Sequence, residues 1–295
     1  MKTESVLLRD AALVNDALPE YLKTEREETA LLWEAMRYSA LSGGKRIRPF
    51  LVLEFCRMFG GEERAALPFA CAIECVHASS LIHDDMPCMD NDALRRGKPT
   101  NHMVFGEDIA LLAGDALITR GYEIAARNPE VPALAALSAT AMLLDAAGAA
   151  GMMGGQQIDL AAEKQPVSFD TLLVMHAKKT GALIRAAALL GCYAAGILSE
   201  KDPRALDAAA YAEGVGLAFQ ITDDILDATG DVEILGKKTH ADDAMGKTTF
   251  LSFMSVDKAH EYAVQVTEKA KAAIEKYQDH EILSAFADDL LDRKK

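Results

Sequence analysis

The amino-acid sequence predicts an all-α protein organised as a single domain over residues 1–295, and three observations support this. Half of the residues are hydrophobic but only 6% are aromatic. The apolar residues are mostly Ala, Leu, Ile, Val and Met, which favours helices over strands. Only nine prolines interrupt the 295 residues. Helical periodicity runs along nearly the whole chain, without strand-like alternation, a short repeat or a low-complexity linker.

Glycines and prolines separate the predicted helices. The first ends at a Ser-Gly-Gly turn, and Pro49 suits the first turn of the second, where its missing N–H has no helical partner to lose. Pro87 breaks a later helix, because the residue before a proline is pushed out of helical geometry. The predicted helices cover residues 28–39, 50–59, 67–85, 108–126, 132–144, 148–160, 169–198, 203–229 and 255–276, with a short final helix that ends at Leu291.

Two polar loops interrupt the helical pattern, at residues 88–106 and 230–249. The first follows an aspartate-rich helix end, and the second carries several lysines and aspartates. Loops of this length inside a compact domain are usually functional.

Charge and cysteine content restrict the possible partners and compartment. The net charge is −14, from 45 acidic and 31 basic residues, so nucleic acid is excluded because phosphate backbones need a basic surface. A small anionic substrate is compatible, since a few local cations or bound metals reverse the field within a cleft. The five cysteines are odd in number and show no CxxC spacing. This pattern predicts that the protein is located in the reducing cytoplasm.

Neither a signal peptide nor a membrane span is predicted. The N-terminus carries acidic residues and no apolar run of signal-peptide length. The two most apolar stretches, residues 131–155 and 182–198, contain Asp145 and Arg185 and are rich in Ala and Gly. We therefore expect both stretches to be buried core helices.

The strongest local signal is a cluster of four aspartates at the predicted end of a helix: Asp84, Asp85, Asp90 and Asp92. The helix dipole already places negative charge there and like charges repel, so the cluster needs a cation. Oxygen ligands alone indicate a hard metal such as Mg²⁺, although the cluster by itself is also compatible with a solvated acidic loop. Asp84 and Asp90 would point about 120° apart on a straight helix. We expect the break at Pro87 to bend the chain and return Asp90 to the metal.

A second cluster contains Asp223, Asp224 and Asp227 within an apolar run. Asp223 and Asp227 are one helical turn apart, so both carboxylates lie on one helical face. Buried carboxylates without partners would be strongly unfavourable or would take up protons. Two such clusters in one helical chain indicate a shared metal site.

Basic residues lie near both clusters. Lys45, Arg46 and Arg48 follow a Gly-Gly turn into a helix, where backbone amides and arginines can hold phosphate oxygens. Arg95 and Arg96 follow the first aspartate cluster directly. Further cationic positions are Lys178, Lys179, Lys237, Lys238 and Lys247. The set predicts diphosphate groups held between Mg²⁺ and Lys or Arg, whereas the nucleotide-binding motifs GxxxxGK[ST] and GxGxxG do not occur.

Six motifs resemble, in order and spacing, those of the trans-isoprenyl diphosphate synthase family. They are GGKRIRP (43–49), HASSLIHDDMPCMDNDALRRGKPTNH (77–102), GEDIALLAGDAL (106–117), GGQQIDL (154–160), KKTGALI (178–184) and FQITDDILD (219–227). The resemblance is to the short-chain branch, which makes farnesyl or geranylgeranyl diphosphate. It implies a helical bundle around a central cavity and a cytoplasmic homodimer. The implied reaction is Mg²⁺-assisted ionisation of an allylic diphosphate, attack by isopentenyl diphosphate and loss of a proton.

The resemblance also implies roles for individual residues. In the family the two aspartate motifs hold three Mg²⁺ ions on the allylic diphosphate, and Mn²⁺ is able to substitute. The residues expected to bind the metal directly are Asp84, Asp90 and Asp223. The residues expected to bind it directly or through water are Asp85, Asp224 and Asp227. The same diphosphate is expected to contact Arg95, Lys179 and Lys237. The metal-free pocket for isopentenyl diphosphate is expected to contain Lys45, Arg48, His77 and Arg96. Thr180 and Gln220 match residues whose oxygens lie near the carbocation.

Ser79 is the expected determinant of product length. It lies about one helical turn before Asp84, where farnesyl-producing bacterial relatives often carry a bulky aromatic residue. The small hydroxyl leaves room for the twenty-carbon product, although residues of other helices can also close the hydrocarbon tunnel.

Two alternatives remain open at this point. A class I terpene cyclase on the same fold usually keeps one DDxxD cluster and needs no pocket for isopentenyl diphosphate. A non-catalytic regulatory subunit of a synthase typically loses one or both aspartate motifs. Both motifs and the GGKRIRP segment are complete in this sequence, which favours the prenyltransferase.

Overall fold

A computed structural model of the chain describes residues 3–24, 26–229 and 248–293. The regular structure of these residues is helical apart from one antiparallel hairpin, and the predicted all-α class is confirmed. The hairpin strands are β1 (Leu94–Arg95) and β2 (Lys98–Pro99). The helices are α1 (Thr3–Tyr21), α2 (Ala30–Ala40), α3 (Ile47–Met58), α4 (Glu63–Asp84), α5 (Asn101–Phe105), α6 (Glu107–Ala126), α7 (Ala133–Ala147), α8 (Met152–Ala162), α9 (Phe169–His176), α10 (Ala182–Ala194), α11 (Pro203–Thr229), α12 (Val256–Ile274) and α13 (Glu281–Leu291).

The chain forms two compact units. Unit 1 comprises Met1–Leu143 and Leu190–Leu198, and unit 2 comprises Leu144–Leu189 and Ser199–Lys295. The chain passes from one unit to the other within α7, again within α10, and a third time between Leu198 and Ser199. The organisation as a single domain stays a prediction.

Helix α1 is an element that the sequence pattern did not predict. Its buried residues Val6, Asp10, Val14 and Leu18 recur every four positions along one face. One of the four is an aspartate, which hides the apolar stripe in the sequence. The buried Asp10 carboxylate accepts hydrogen bonds from both terminal nitrogens of Arg57 on α3, at 2.9 and 3.0 Å. A charged pair therefore occupies a position where the helical pattern calls for an apolar residue.

The core of unit 1 is built around α4, which is buried along most of its length against α3 and α6. Two glycines of α6 allow the close approach of these helices. A Cβ added at Gly121 would lie 2.7 Å from the Ala72 carbonyl oxygen, and one at Gly114 only 2.1 Å from His83 Nε2. The His83 ring in turn bonds to the Leu111 carbonyl oxygen at 3.2 Å. The end of α4 that carries the first aspartates is thus fixed to α6.

Unit 2 has its own hydrophobic cluster, which joins residues of α8, α9, α11 and α12 to the fully buried Phe250. The Phe250 ring makes an edge contact with Phe169 at 6.1 Å and stacks on His176 at 5.2 Å between ring centroids. Phe250 belongs to a short 3₁₀ turn, Phe250–Ser252. This turn brings α9 and α11 into one packed layer.

The predicted helix over residues 169–198 is interrupted. Between α9 and α10 the chain forms a π-helical segment, Ala177–Gly181, which contains Lys179 and Thr180. A π turn holds one residue more than an α turn, and such segments occur frequently at functional sites.

Two segments have the length and apolar composition of a membrane span, Glu63–Asp84 and Ala133–Ala162. The apolar window of the first is 78% buried, which is typical of a core helix. The second is only 33% buried, so the expectation of a buried core helix over residues 131–155 is wrong for much of this segment. It is also divided into α7 and α8, of 15 and 11 residues, each shorter than the roughly 20 residues that cross a bilayer.

Candidate active site

The first aspartate cluster lies on a tight bend at the end of α4. The helix ends at Asp84, and the Asp90 N–H donates a hydrogen bond to the Asp84 carbonyl oxygen at 2.9 Å. Asn91 takes a positive φ of 54° and donates from its N–H to the Met86 carbonyl oxygen at 3.1 Å. The expectation that the helix breaks near Pro87 and does not continue to Asp90 is confirmed. The bend brings the two ends of the motif together.

Asp85 faces Arg95 of β1 in a two-pronged ion pair. Arg95 Nε lies 2.8 Å from both carboxylate oxygens, and its terminal nitrogen lies 2.6 Å from Oδ1. Asp85 is only 3% exposed, and burial raises the pKa of its carboxyl while the Arg95 charge opposes that rise. The hairpin β1–β2 therefore places Arg95 directly against the aspartate motif.

The basic residues at the Gly-rich turn before α3 have different environments. Arg46 takes a left-handed conformation with φ 49° and is 4% exposed. Its guanidinium forms an ion pair with the buried Glu74 and donates to Asn15 Oδ1 at 3.0 Å and to the Ala40 carbonyl oxygen at 2.8 Å. Of the three basic residues expected to meet an anion here, Arg46 is thus a structural residue. Lys45 is exposed.

Arg48, His77 and Arg96 form a cationic cluster in unit 1. Burial lowers the pKa of Arg48 to about 10, and its buried Nε has no hydrogen-bond partner among the described residues. Burial, followed by the charges of Arg48 and Arg96, holds the pKa of His77 well below its usual range. Arg96 donates to the Gly43 carbonyl oxygen, and a Cβ on Gly44 would lie 2.6 Å from its guanidinium carbon. The cluster combines arginines with a neutral histidine and leaves one buried donor for an anion to satisfy.

The second aspartate cluster lies on α11 in unit 2, where Asp223 and Asp227 occupy successive turns as predicted. Asp224 Oδ2 accepts a hydrogen bond from the Phe250 N–H at 2.8 Å. Asp223 Oδ1 lies 3.3 Å from a terminal nitrogen of Arg293, whose guanidinium also covers the Phe219 ring at 4.8 Å. Arg293, two residues after the end of α13, therefore pairs with a predicted metal ligand.

The π-helical segment fixes Lys179 through contacts that the sequence reasoning did not identify. Lys179 Nζ forms an ion pair with Asp159 Oδ2 at 2.5 Å. Asp159 belongs to the GGQQIDL motif. Because this motif accompanies the two aspartate clusters, it could have identified Asp159 as a residue of the site. Gly155 of the same motif packs α8 onto the segment, since an added Cβ would lie 2.1 Å from the Lys179 nitrogen.

Thr180 and Gln220 come together as expected for residues of one site. The Thr180 hydroxyl donates to Gln220 Oε1 at 3.2 Å, and the His176 ring bonds to the same oxygen through Nδ1 at 3.1 Å. Gln220 lies one helical turn before the Asp223 carboxylate on α11. Unit 2 thus carries its aspartates, Lys179 and this polar pair on neighbouring elements.

Two predicted residues stand apart from these clusters. Ser79 is 1% exposed, and its hydroxyl donates to the Val76 carbonyl oxygen at 2.8 Å within α4. Lys237 lies outside the described residues, as do Lys238 and Lys247.

The donor set is compatible with Mg²⁺ that a substrate helps to hold. Among the described residues, no group of three His, Cys, Asp or Glu side chains is close enough together to hold a metal ion. Mg²⁺ commonly binds through one or two carboxylates, with phosphate oxygens and water completing its octahedral shell. The bend at Asp84 and Asp90 and the α11 pair Asp223 and Asp227 offer carboxylates in this number.

Comparison with known proteins adds a family match over most of the chain. A family model described as polyprenyl synthetase matches residues 29–288. The farnesyl diphosphate synthase of Escherichia coli (strain K12) is 44% identical over 287 residues, which cover 95% of each chain. The geranylgeranyl diphosphate synthase of Cyanophora paradoxa is 43% identical over 284 residues, covering 95% of this chain and 93% of the relative.

Solved structures resemble the fold over nearly its full length. The apo crystal structure of an FPP/GFPP synthase from Zymomonas mobilis has a TM-score of 0.88 and 36% identity, with 98% of both chains covered. The crystal structure of geranylgeranyl pyrophosphate synthetase from Pyrococcus horikoshii Ot3 also has a TM-score of 0.88, with 30% identity over 98% of this chain and 99% of the other.

Proposed function

The chain belongs to the polyprenyl synthetase family, and from that premise we propose that it joins isopentenyl diphosphate to dimethylallyl, geranyl or farnesyl diphosphate. The enzyme is a short-chain trans-prenyltransferase. The observation that carries this conclusion is that two consecutive arginines meet chemically different groups in unit 1. Arg95 pairs with Asp85 of the aspartate motif, and Arg96 donates to the Gly43 carbonyl oxygen of the Gly-rich turn before α3. This arrangement suits a metal-dependent and a metal-free diphosphate site.

The aspartates are proposed to hold the metal ions of the allylic substrate. Three Mg²⁺ ions would be bound by Asp84, Asp90 and Asp223 directly and by Asp85, Asp224 and Asp227 directly or through water, with Mn²⁺ able to substitute. When bound, Mg²⁺ offsets the negative charge that develops on a diphosphate leaving group. The bend at the end of α4 supports this assignment, because the hydrogen bond from the Asp90 N–H to the Asp84 carbonyl oxygen brings two of the expected ligands together.

Two sets of cations are proposed to bind the two diphosphates. Arg95, Lys179 and Lys237 would contact the allylic diphosphate. The metal-free pocket for isopentenyl diphosphate would contain Lys45, Arg48, His77 and Arg96. The unsatisfied Nε of Arg48 supports the second assignment, since a buried guanidinium donor gains a partner when a phosphate oxygen arrives. His77 would act there as a neutral hydrogen-bond donor, because its lowered pKa keeps it uncharged.

Thr180 and Gln220 are proposed to line the region where the allylic carbocation forms. A neutral oxygen dipole stabilises positive charge without forming a covalent bond to the cation, whereas a carboxylate would form one. The isopentenyl double bond then attacks the allylic carbon, a new carbon–carbon bond forms, and a proton leaves the adjacent carbon. By similarity to the family, the departing diphosphate accepts that proton, so no separate general base is needed.

Product length is proposed to depend on Ser79. By similarity to the family, a small side chain at this position, which is 1% exposed, favours growth to the twenty-carbon product over the fifteen-carbon one. We expect Ser79→Tyr and Ser79→Phe to shorten the product, as measured by chromatography of the dephosphorylated alcohols. An unchanged product distribution in both variants would place the tunnel floor on other residues.

The enzyme is proposed to act in the cytoplasm as a homodimer. Helix α6 exposes Leu111 and Leu112 at 49% and 51%, and α7 exposes Leu134 and Leu137 at 61% and 66%. Exposed leucines on two successive helices suit a contact with a second copy of the chain. The five cysteines are all free thiols, four of them buried, which suits a reducing compartment.

The decisive experiment supplies each allylic starter with labelled isopentenyl diphosphate and identifies the products. A fifteen- or twenty-carbon diphosphate is expected, formed only with both substrates, lost on chelation of divalent metal and restored by Mg²⁺. Hydrocarbon made from the allylic substrate alone would favour the terpene cyclase. A folded protein without turnover under all these conditions would favour the regulatory subunit.

A further inference from the structure

His176 lies at the junction between α9 and the π-helical segment. It is the last residue of α9 and only 9% exposed. Its ring is nearly parallel to that of Phe250, with an interplanar angle of 15° and 5.2 Å between centroids. One face of the ring is therefore packed against Phe250.

The hydrogen bond of His176 converges with that of Thr180 on one atom. Gln220 Oε1 lies 3.1 Å from His176 Nδ1 and 3.2 Å from Thr180 Oγ1. A carboxamide oxygen has two lone pairs, so these two donors saturate it. The Gln220 amide is thus held by contacts on both sides.

The environment of the ring determines which nitrogen carries its proton. Burial lowers the pKa of His176 to about 4, so the ring is neutral and has a single N–H near neutral pH. Nε2 is buried and has no hydrogen-bond partner among the described residues. A proton on Nε2 would create a buried N–H without an acceptor, which is rare in folded proteins. A proton on Nδ1 is donated to Gln220, and Nε2 is then left as an unprotonated acceptor.

We propose that His176 is a positioning residue, which orients the Gln220 side chain. In this orientation the Thr180 hydroxyl donates its proton to the Gln220 amide oxygen, and the Thr180 oxygen lone pairs face away from the amide. This inference rests on the proposed function. A hydroxyl that pointed its proton toward a forming carbocation would oppose the positive charge, whereas lone pairs favour it. With His176 in place, the Thr180 proton has a fixed acceptor. Without it, Gln220 can rotate and Thr180 can donate in another direction.

Two substitutions separate the hydrogen bond from the packing. His176→Asn keeps a side-chain N–H donor close to the position of Nδ1 but loses the ring that stacks on Phe250. His176→Phe keeps a ring of similar size and loses the donor. If the bond to Gln220 matters, we expect His176→Phe to lower kcat about tenfold with KM for both substrates nearly unchanged, and His176→Asn to retain most of kcat.

A third variant controls for folding. Phe250→Leu removes the stacked ring and leaves the hydrogen bond, so it should lower thermal stability with little effect on kcat. In a Gln220→Leu background, His176→Phe should cause no further loss, because the bond that it removes is already absent. Nitrogen NMR of labelled wild-type protein should show His176 as the neutral tautomer with its proton on Nδ1, and this readout does not depend on activity.

Several results would overturn the inference. They are equal activity of His176→Phe and wild type, equal impairment of the Asn and Phe variants, an undiminished loss in the Gln220→Leu background, or a His176 proton on Nε2. If the His176 variants do not fold, the wild-type tautomer still decides. A wild-type enzyme that makes no prenyl product would instead contradict the proposed function, whatever the tautomer.

Discussion

Arg46 and Arg48 stand two residues apart in one basic motif and yet have different environments. Arg46 caps α3 in a left-handed conformation and is held by Glu74 inside unit 1. Arg48, within α3, keeps a buried Nε without a partner among the described residues. Removing one partner of a buried ion pair leaves an uncompensated charge, so Glu74 stabilises the turn that presents Arg48. Identical side chains thus serve as structural support at Arg46 and as a proposed substrate contact at Arg48.

The lowered pKa of His176 makes the stability of the protein depend on pH. Its pKa is about 4 in the folded chain and about 6.5 when unfolded. Between these values the unfolded state binds more protons, so stability falls as the pH falls. We expect protonation of His176 in the unfolded state to lower the free energy of unfolding by about 2 kcal/mol as the pH falls from about 7 to about 5. Asp159 and Lys179 act on the ring with opposite effects, and burial outweighs both.

The measurement compares denaturant-unfolding free energies of wild type and His176→Asn at the two pH values. The variant cannot titrate at this position, so its stability should fall less between them than that of the wild type. His77, also lowered in pKa, is present in both proteins and cancels from the difference. Equal losses in the two proteins would contradict the lowered pKa of His176.

At the scale of elements, the π-helical segment depends on a glycine in a different helix. Helix α8 approaches the segment so closely that a Cβ on Gly155 would lie 2.1 Å from the Lys179 nitrogen and 2.5 Å from its Cα. These are backbone atoms, so the clash cannot be relieved by rotating a side chain. The register of Lys179 and Thr180 is therefore set by the contact between two elements.

We expect Gly155→Ala to destabilise the protein by about 2 kcal/mol or more, because an inserted methyl in a packed contact forces the backbone to shift. The kcat should fall as well, since Lys179 and Thr180 move with the segment. Thermal unfolding and steady-state kinetics measure the two effects.

The matched control is Gly216→Ala on α11. Its Cβ would meet the nearest atom, Ile184 Cδ1, at an ordinary 3.4 Å, and alanine in a helix interior gains roughly 0.5–1 kcal/mol over glycine. Similar losses in both variants would show that the Gly155 contact has no special role.

At the scale of the whole molecule, α7 has an arrangement that a monomer does not favour. Its alanines 135, 136 and 139 are buried, whereas Leu134 and Leu137 are 61% and 66% exposed. A helix usually buries its larger apolar side chains. The reversed arrangement is explained if a second copy of the chain covers the leucines.

We expect the double substitution Leu134→Glu and Leu137→Glu to convert the proposed dimer into a monomer, because unpaired carboxylates in an apolar interface are strongly unfavourable. Sedimentation equilibrium should then give the mass of one 31.8 kDa chain in place of two. Leu8→Glu, at a leucine that is also 66% exposed, is the matched control and should remain dimeric. A variant that keeps the wild-type mass would contradict the assignment of this face.

The helical class, most helix positions, the two aspartate clusters and the break near Pro87 could all be predicted from the sequence. These features depend on local physics, namely side-chain periodicity, the geometry imposed by proline and the repulsion between neighbouring carboxylates. The helix α1 escaped prediction, because a buried aspartate interrupts its apolar stripe, and the partners of that aspartate include Arg57 from α3 as well as the adjacent Arg9.

Only the tertiary structure decided which charged side chains became partners. Arg46 pairs with Glu74, Asp85 with Arg95, Lys179 with Asp159 and Asp223 with Arg293. All four pairs join residues 10 to 70 positions apart on different elements, so no local pattern specifies them. The π turn and the orientation of Gln220 likewise depend on Gly155 and His176, which act through packing and hydrogen bonds formed only when the chain is folded.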